Sequence, residues 1–155
     1  MPPKRRAKSK PYTLPPASAT AREFEQRTAD FLREAAFILS EPSESRDQGA
    51  DFAVWIDEVQ HSLGNPLLVE VKAGDLSGPR LEEATSQLRH YVAKTHGRCG
   101  LVVYWDRQSR DFPAVSVGWP LVFRLSGRTL ARLASQGLLA QELVRLRNDA
   151  VHGKA

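Results

Sequence analysis

Cysteine is all but missing from this chain of 155 residues. Cys99 stands alone, so no intrachain disulfide can form, and the usual zinc fingers lack the thiolates they need. Long apolar runs are missing too. None approaches the ~18–20 residues needed to cross a bilayer, and no apolar stretch follows the basic N-terminus as a secretory signal requires. Together these omissions predict a protein of the reducing cytoplasm with no membrane partner. What is present has the balance of a globular fold: 41% hydrophobic and 26% charged residues, at a length that favours one domain.

Unpaired positive charge is scarce outside one segment. The net charge is +4, yet Lys4, Arg5, Arg6, Lys8 and Lys10 all lie in the first ten residues, with no acid among them. The other lysines and arginines nearly balance the 18 acidic residues, so the body of the chain is close to neutral. Residues 1–19 also hold five prolines and few apolar anchors, which predicts a disordered or extended tail. Such a tail can bind phosphate backbones or simply keep the end soluble.

Regular structure is expected from Thr20, where Thr20-Ala-Arg-Glu23 has capping-box spacing. Phe24, Thr28, Phe31, Leu32 and Ala35 recur at helical intervals, predicting a helix over 21–36. Strands are predicted at Phe37–Leu39, Asp51–Ile56 and Leu67–Lys72, the last two joined by a hairpin-like link over 57–66. A helix then opens at Pro79 with Leu81, Ala84, Leu88, Tyr91 and Val92 on one face. Leu101–Trp105 follows as a strand, with extended pieces near Val115 and at Leu121–Leu125. Ser126 caps a helix over 127–136, Gly137 stops it, and a last helix runs from Leu138 to about Ala150. The order predicts a mixed sheet flanked by helices, an α/β or α+β sandwich.

The third strand carries the chemistry. Its alternation puts Val69 and Val71 on one face and Glu70 and Lys72 on the other, within a run too apolar for an edge strand. Charges in such surroundings need a partner or a metal. Asp51 opens the preceding strand and can reach Glu70. Two converging carboxylates repel, and a hard divalent cation such as Mg²⁺ relieves the repulsion, polarises a phosphoryl oxygen and acidifies a bound water. Lys72 can then stabilise charge growing on the phosphate.

These residues resemble the PD-(D/E)XK nuclease superfamily, nearest to its Mrr-like restriction-endonuclease branch. The resemblance rests on Phe24-Glu25, on Asp47-Gln-Gly-Ala-Asp51, on Glu70-Val-Lys72 and on Gln87-Leu-Arg-His-Tyr91, which is similar to a Q-x-x-x-Y element. It spans roughly residues 20–105 and implies an αβββαβ core with Mg²⁺-dependent phosphodiester cleavage, Mn²⁺ substituting. Carried over, Asp51 and Glu70 bind metal, Lys72 is the catalytic lysine, Glu25 reaches the metal site, and Gln87 orients the lysine or the substrate. Ala50 stands where the family's proline would be.

By spacing alone, Glu25 sits at the rim of the buried stripe, either a site residue or a solvated glutamate, with Glu34 and Glu23 as fallbacks. Gln87 is expected on the face turned toward the sheet. At the C-terminus, Arg147 and His152 resemble the R-x4-H pair of HEPN-type ribonucleases, although a solvated helix end is the simpler reading. The organisation expected is a tail over 1–19, a nuclease-like domain over 20–125 and a helical extension over 126–155. The expected function is a metal-dependent DNA endonuclease, nucleoid-associated, with a homodimer among its expected partners. Its rivals are a DNA-binding or assembly module with dispensable cleavage and a metal-independent ribonuclease.

Overall fold

A computed structural model of the protein describes residues 19–35, 37–40, 50–95, 97–116 and 118–153. The tail cations Lys4, Arg5, Arg6, Lys8 and Lys10, and Asp47 of the loop, lie outside these residues. Five strands form one sheet in chain order: β1 (Ile38–Ser40), β2 (Phe52–Trp55), β3 (Leu67–Gly74), β4 (Cys99–Asp106) and β5 (Leu121–Ser126). The pairs β1–β2 and β2–β3 are antiparallel, while β3–β4 and β4–β5 are parallel. With helices on both faces, this is the mixed α/β sheet that the sequence predicts.

Local chemistry sets the helix boundaries. In α1 (Ala21–Glu34), the Glu23 amide donates to Thr20 Oγ1 at 3.3 Å, one half of the capping box. In α3 (Gly78–Lys94), Ser77 caps the Arg80 amide and Pro79 occupies the first turn, where its missing N–H costs nothing. Ser126 caps α4 (Gly127–Gln136) through the Thr129 amide, and Gly137 ends it in the left-handed conformation at φ 68°. A final helix, α5 (Leu139–Val151), buries Leu139, Leu143 and Leu146 along one stripe. Among the described residues no helix is long and apolar enough to cross a membrane.

The link over 57–66 is not a simple hairpin. It holds a 3-10 turn (Asp57–Val59) and one turn of helix, α2 (Gln60–Leu63). Val59 and Leu63 are four residues apart and both join the core, Leu63 fully buried. That apolar pair makes a helical turn the better way to cover the sheet. The side-chain oxygen of Asn65 then closes the link by accepting from the Ile56 amide at 3.0 Å.

Strand alternation divides the core in two. Val69, Val71, Leu101, Val103, Phe123 and Leu125 face α1, α4 and α5 in the larger cluster. Leu68, Val102, Tyr104 and Val122 face α3 in the smaller one. Each fully buried leucine or valine contributes about 1.5–3 kcal/mol. One indole knits the larger layer: Trp105 Nε1 donates to Thr28 Oγ1 at 3.1 Å, and its ring lies 5.5 Å from Phe24 and 6.3 Å from Phe31. Position 127 must be glycine, because a Cβ there would stand 2.2 Å from the same indole. The outer edge of β5 is covered by the preceding loop, through the Arg124 amide to the Ala114 carbonyl (2.8 Å) and a bridge between Val115 and Phe123.

Candidate active site

The strand β3 reads L-L-V-E-V-K-A-G, and its burial follows the letters. Leu67, Leu68, Val69 and Val71 are buried, while Glu70 and Lys72 are half-buried on the α3 side. Pairing with β2 stops at Phe52 and Val69, so among the described residues no strand lies against the far half of that edge. Asp51 sits where the partner strand gives out. Its amide donates to the Val69 carbonyl at 2.8 Å, and its Oδ2 accepts from the Val71 amide at 2.7 Å. Asp51 therefore clasps β3 on both sides of Glu70, and the two carboxyl groups act on each other. Lys72 Nζ lies 3.3 Å from Glu70 Oε1, with the lysine side chain 40% exposed and the glutamate 16%.

Electrostatics follow from that placement. Burial is the largest influence on Glu70; the charge of Asp51 adds to it and Lys72 opposes it, leaving the carboxyl pushed up to about 7. Asp51 is also raised, chiefly by burial, against the Val71 amide bond and the Lys72 charge. Near neutral pH such a pair holds a proton that isolated carboxylates would have lost. Carboxylates perturbed by burial and by each other cluster at functional sites.

Glu25 stays outside this pair. The roll of α1 is fixed by Phe24 against Trp105 and by the Thr28–Trp105 bond, which leaves Glu25 half-buried one position to the side. Its charge reaches Glu70 and raises it slightly, but among the described residues no third aspartate, glutamate, histidine or cysteine completes a metal-holding cluster. The fallbacks Glu23 and Glu34 are exposed.

Gln87 departs from expectation as well. It is exposed, not turned to the sheet, because the buried face of α3 is centred on Leu81, Ala84, Thr85, Leu88 and Val92. One flank of α3 carries Glu82, bonded to Ser116 and Arg124, and Arg89, bonded to the Ser116 and Pro120 carbonyls. Helical geometry puts Gln87 and Tyr91 on the other flank, where Tyr91 packs against the smaller core. Gln87 is thus a shoulder residue.

A second charged cluster escaped the sequence reading. At the end of β4, Asp106 Oδ2 accepts from the Arg110 amide (2.9 Å) and Nε (2.8 Å), while Oδ1 accepts from Arg110 Nη2 (3.0 Å) and the Leu76 amide (3.1 Å). The same Nη2 reaches Asp75 Oδ1 at 2.9 Å. Arg110 holds the Asp106 carboxyl well below the usual carboxylate range, although its side chain is only 1% exposed.

Arg147 and His152 do not converge. Both belong to the end of α5, five residues and hence about 140° apart around the helix. Arg147 Nη1 donates to Asn148 Oδ1, and His152 is an exposed C-cap.

Compared with known proteins, the chain matches the restriction endonuclease family (Mrr_cat) over residues 17–138, which takes in the whole sheet, α1 and α3. No curated protein and no solved structure matches it. A match over most of the length, together with the mixed sheet that sets two carboxylates and a lysine at one strand edge, decides the question of kinship: the chain belongs to the restriction endonuclease family, in the Mrr-like branch of the PD-(D/E)XK nucleases.

Proposed function

We propose that the protein is a Mg²⁺-dependent DNA endonuclease whose site is Asp51, Glu70 and Lys72, with Mn²⁺ able to substitute. The observation that carries this reading is the clasp of Asp51 around Glu70, which holds two carboxylates together with a lysine as their nearest cation. That donor set fits Mg²⁺, which takes one or two protein carboxylates and fills its octahedron with waters and substrate phosphate oxygens. When bound, the metal supplies Lewis acidity toward the phosphate and a water of lowered pKa.

The residues divide the remaining work. Asp51 and Glu70 would hold the ion, and the proton that burial keeps on Glu70 would have to leave for it to bind. The Val71 amide keeps Asp51 from turning away as the proton leaves. Lys72, half-exposed and tethered to Glu70, presents its ammonium where negative charge gathers on the phosphorus oxygens. Glu25 acts through its field, and Gln87 meets substrate from the shoulder of α3. Lys4, Arg5, Arg6, Lys8 and Lys10 draw the duplex toward a body that has little net charge of its own. Double-strand cleavage with one site per chain calls for two copies.

Supercoiled plasmid incubated with Mg²⁺, Mn²⁺ or EDTA tests the reading. Nicking or linearisation should require the metal. Lys72→Ala should keep Mn²⁺ binding in calorimetry while cleavage falls about 10²-fold or more; Asp51→Ala should lose both. Wild-type cleavage by either variant refutes the site. Deleting residues 1–10 should flatten the slope of log K against log salt by about 2–3 and spare cleavage at saturating DNA.

A further inference from the structure

Beyond Lys72 the strand runs on for two residues and ends at an open corner. Gly74 has φ +121°, a conformation that favours glycine, and nothing lies within 4 Å of where a Cβ would stand. Its carbonyl accepts from the Arg107 amide at 2.8 Å, so the start of the β4–β5 loop is fastened beside the end of β3. At about 3.3 Å per residue, Gly74 lies only about 7 Å along the strand from Lys72.

The loop that carries Arg107 is braced from within. Asp106 binds the Arg110 amide and guanidinium and the Leu76 amide, and Gln108 donates to Asp75 Oδ1 at 3.0 Å. Arg110 is therefore committed to two carboxylates, and Arg80 leans on the Asp75 carbonyl at 3.4 Å. Arg107 is exposed, and no hydrogen bond or ion pair engages its guanidinium among the described residues. Arg107 is thus an uncommitted cation at this corner, and its main chain is pinned.

We propose that Arg107 takes a backbone phosphate flanking the one held at Asp51, Glu70 and Lys72, with Gly74 left bare so that the duplex can approach. Arg107 is thus a positioning residue: it sets where the strand lies and touches no reacting atom. The inference rests on the DNA-cleavage reading above, but its test reads binding separately.

Anisotropy of a short labelled duplex in EDTA gives affinity without cleavage. Arg107→Ala should weaken binding about five- to tenfold at ~0.1 M salt and reduce the slope of log K against log salt by about 0.9, the value of one phosphate contact. Arg107→Lys should restore most of both. Arg98→Ala removes an exposed cation at the opposite end of β4, about 30 Å away along the strand, and should change neither. In Mg²⁺, Arg107→Ala should raise KM by the same factor and leave kcat alone. Wild-type affinity and slope in Arg107→Ala overturn the proposal, as does an equal loss in Arg98→Ala, which would mean diffuse attraction. Failure of the nuclease reading appears elsewhere, as absence of metal-dependent cleavage by the unaltered protein.

Discussion

Two carboxylate sites lie near the end of β3, and they resolve the same problem in opposite ways. Asp106 is the more deeply buried, yet four hydrogen bonds, three of them from Arg110, hold its carboxyl below the usual range. Glu70 is less buried, has a single lysine contact, faces a second carboxylate, and is pushed up to about 7. Burial alone does not decide a carboxylate's state; the donors around it do. The satisfied site braces a loop. The raised one, with a single ammonium between two carboxylates, is where we propose that a metal ion binds.

Substitution should separate the two sites sharply. Glu70→Gln should reduce plasmid cleavage by about 10²–10³-fold, measured as single-turnover nicking in Mg²⁺, because a ligand is gone. Asp106→Asn should cleave at near the wild-type rate wherever it remains folded.

Stability should move in opposite directions. A carboxyl whose folded pKa is raised contributes stability below its ordinary value of 4.5 and loses it as pH rises to about 7. Glu70→Gln escapes that loss, so metal-free protein should gain at most about 3 kcal/mol at pH 8 and almost nothing near pH 4. Asp106 has a lowered pKa, and its contribution is present above its ordinary value of 3.8 and fades only in stronger acid. Asp106→Asn should therefore lower Tm by about 5 °C at pH 7, the deficit shrinking below pH 4. Thermal melts at the two pH values check both signs, and a Glu70→Gln loss at pH 8 would break the comparison.

Metal binding sharpens it further. Since the ion must displace the proton on the pair, Mn²⁺ affinity by calorimetry should rise about tenfold between pH 6 and pH 8. A flat profile would mean the carboxylates are already bare. The smallest effect is expected at the far end of the chain: Arg147→Ala and His152→Ala should change neither DNA cleavage nor its metal requirement. Loss of an EDTA-resistant RNA cleavage in those variants would instead favour a ribonuclease.

Much of this was legible in the letters because it depends on neighbours in sequence. Thr20, Ser126 and Gly137 announced helix ends through bonds within four residues, and L-L-V-E-V-K revealed charges in an apolar strand by simple alternation. Asp51 beside Glu70 followed from two consecutive strands. What stayed hidden depends on contacts between distant segments. Arg110 meets Asp75 across 35 positions, and Arg124 is buried against Glu82 across 42. Gln87 lies exposed where the wheel predicts a sheet-facing residue, because a neighbour of Ala84 and Tyr91 can sit just past the buried arc. The turn at Val59 and Leu63 was missed because Gly64-Asn65-Pro66 spoke more loudly for a hairpin.

The setting of Trp105 has an optical consequence. Its indole is sealed between α1 and α4, whereas Trp119 is 67% exposed. The two should respond differently to a collisional quencher: acrylamide extinguishes the outer emission and spares the inner. Because the inner ring touches α1 and α4, two of the three helices of the larger layer, and bonds Thr28, its shielded signal reports whether that layer is closed. Any variant of the carboxylate pair can be read against it, so that lost cleavage is told apart from a lost core without a separate folding assay.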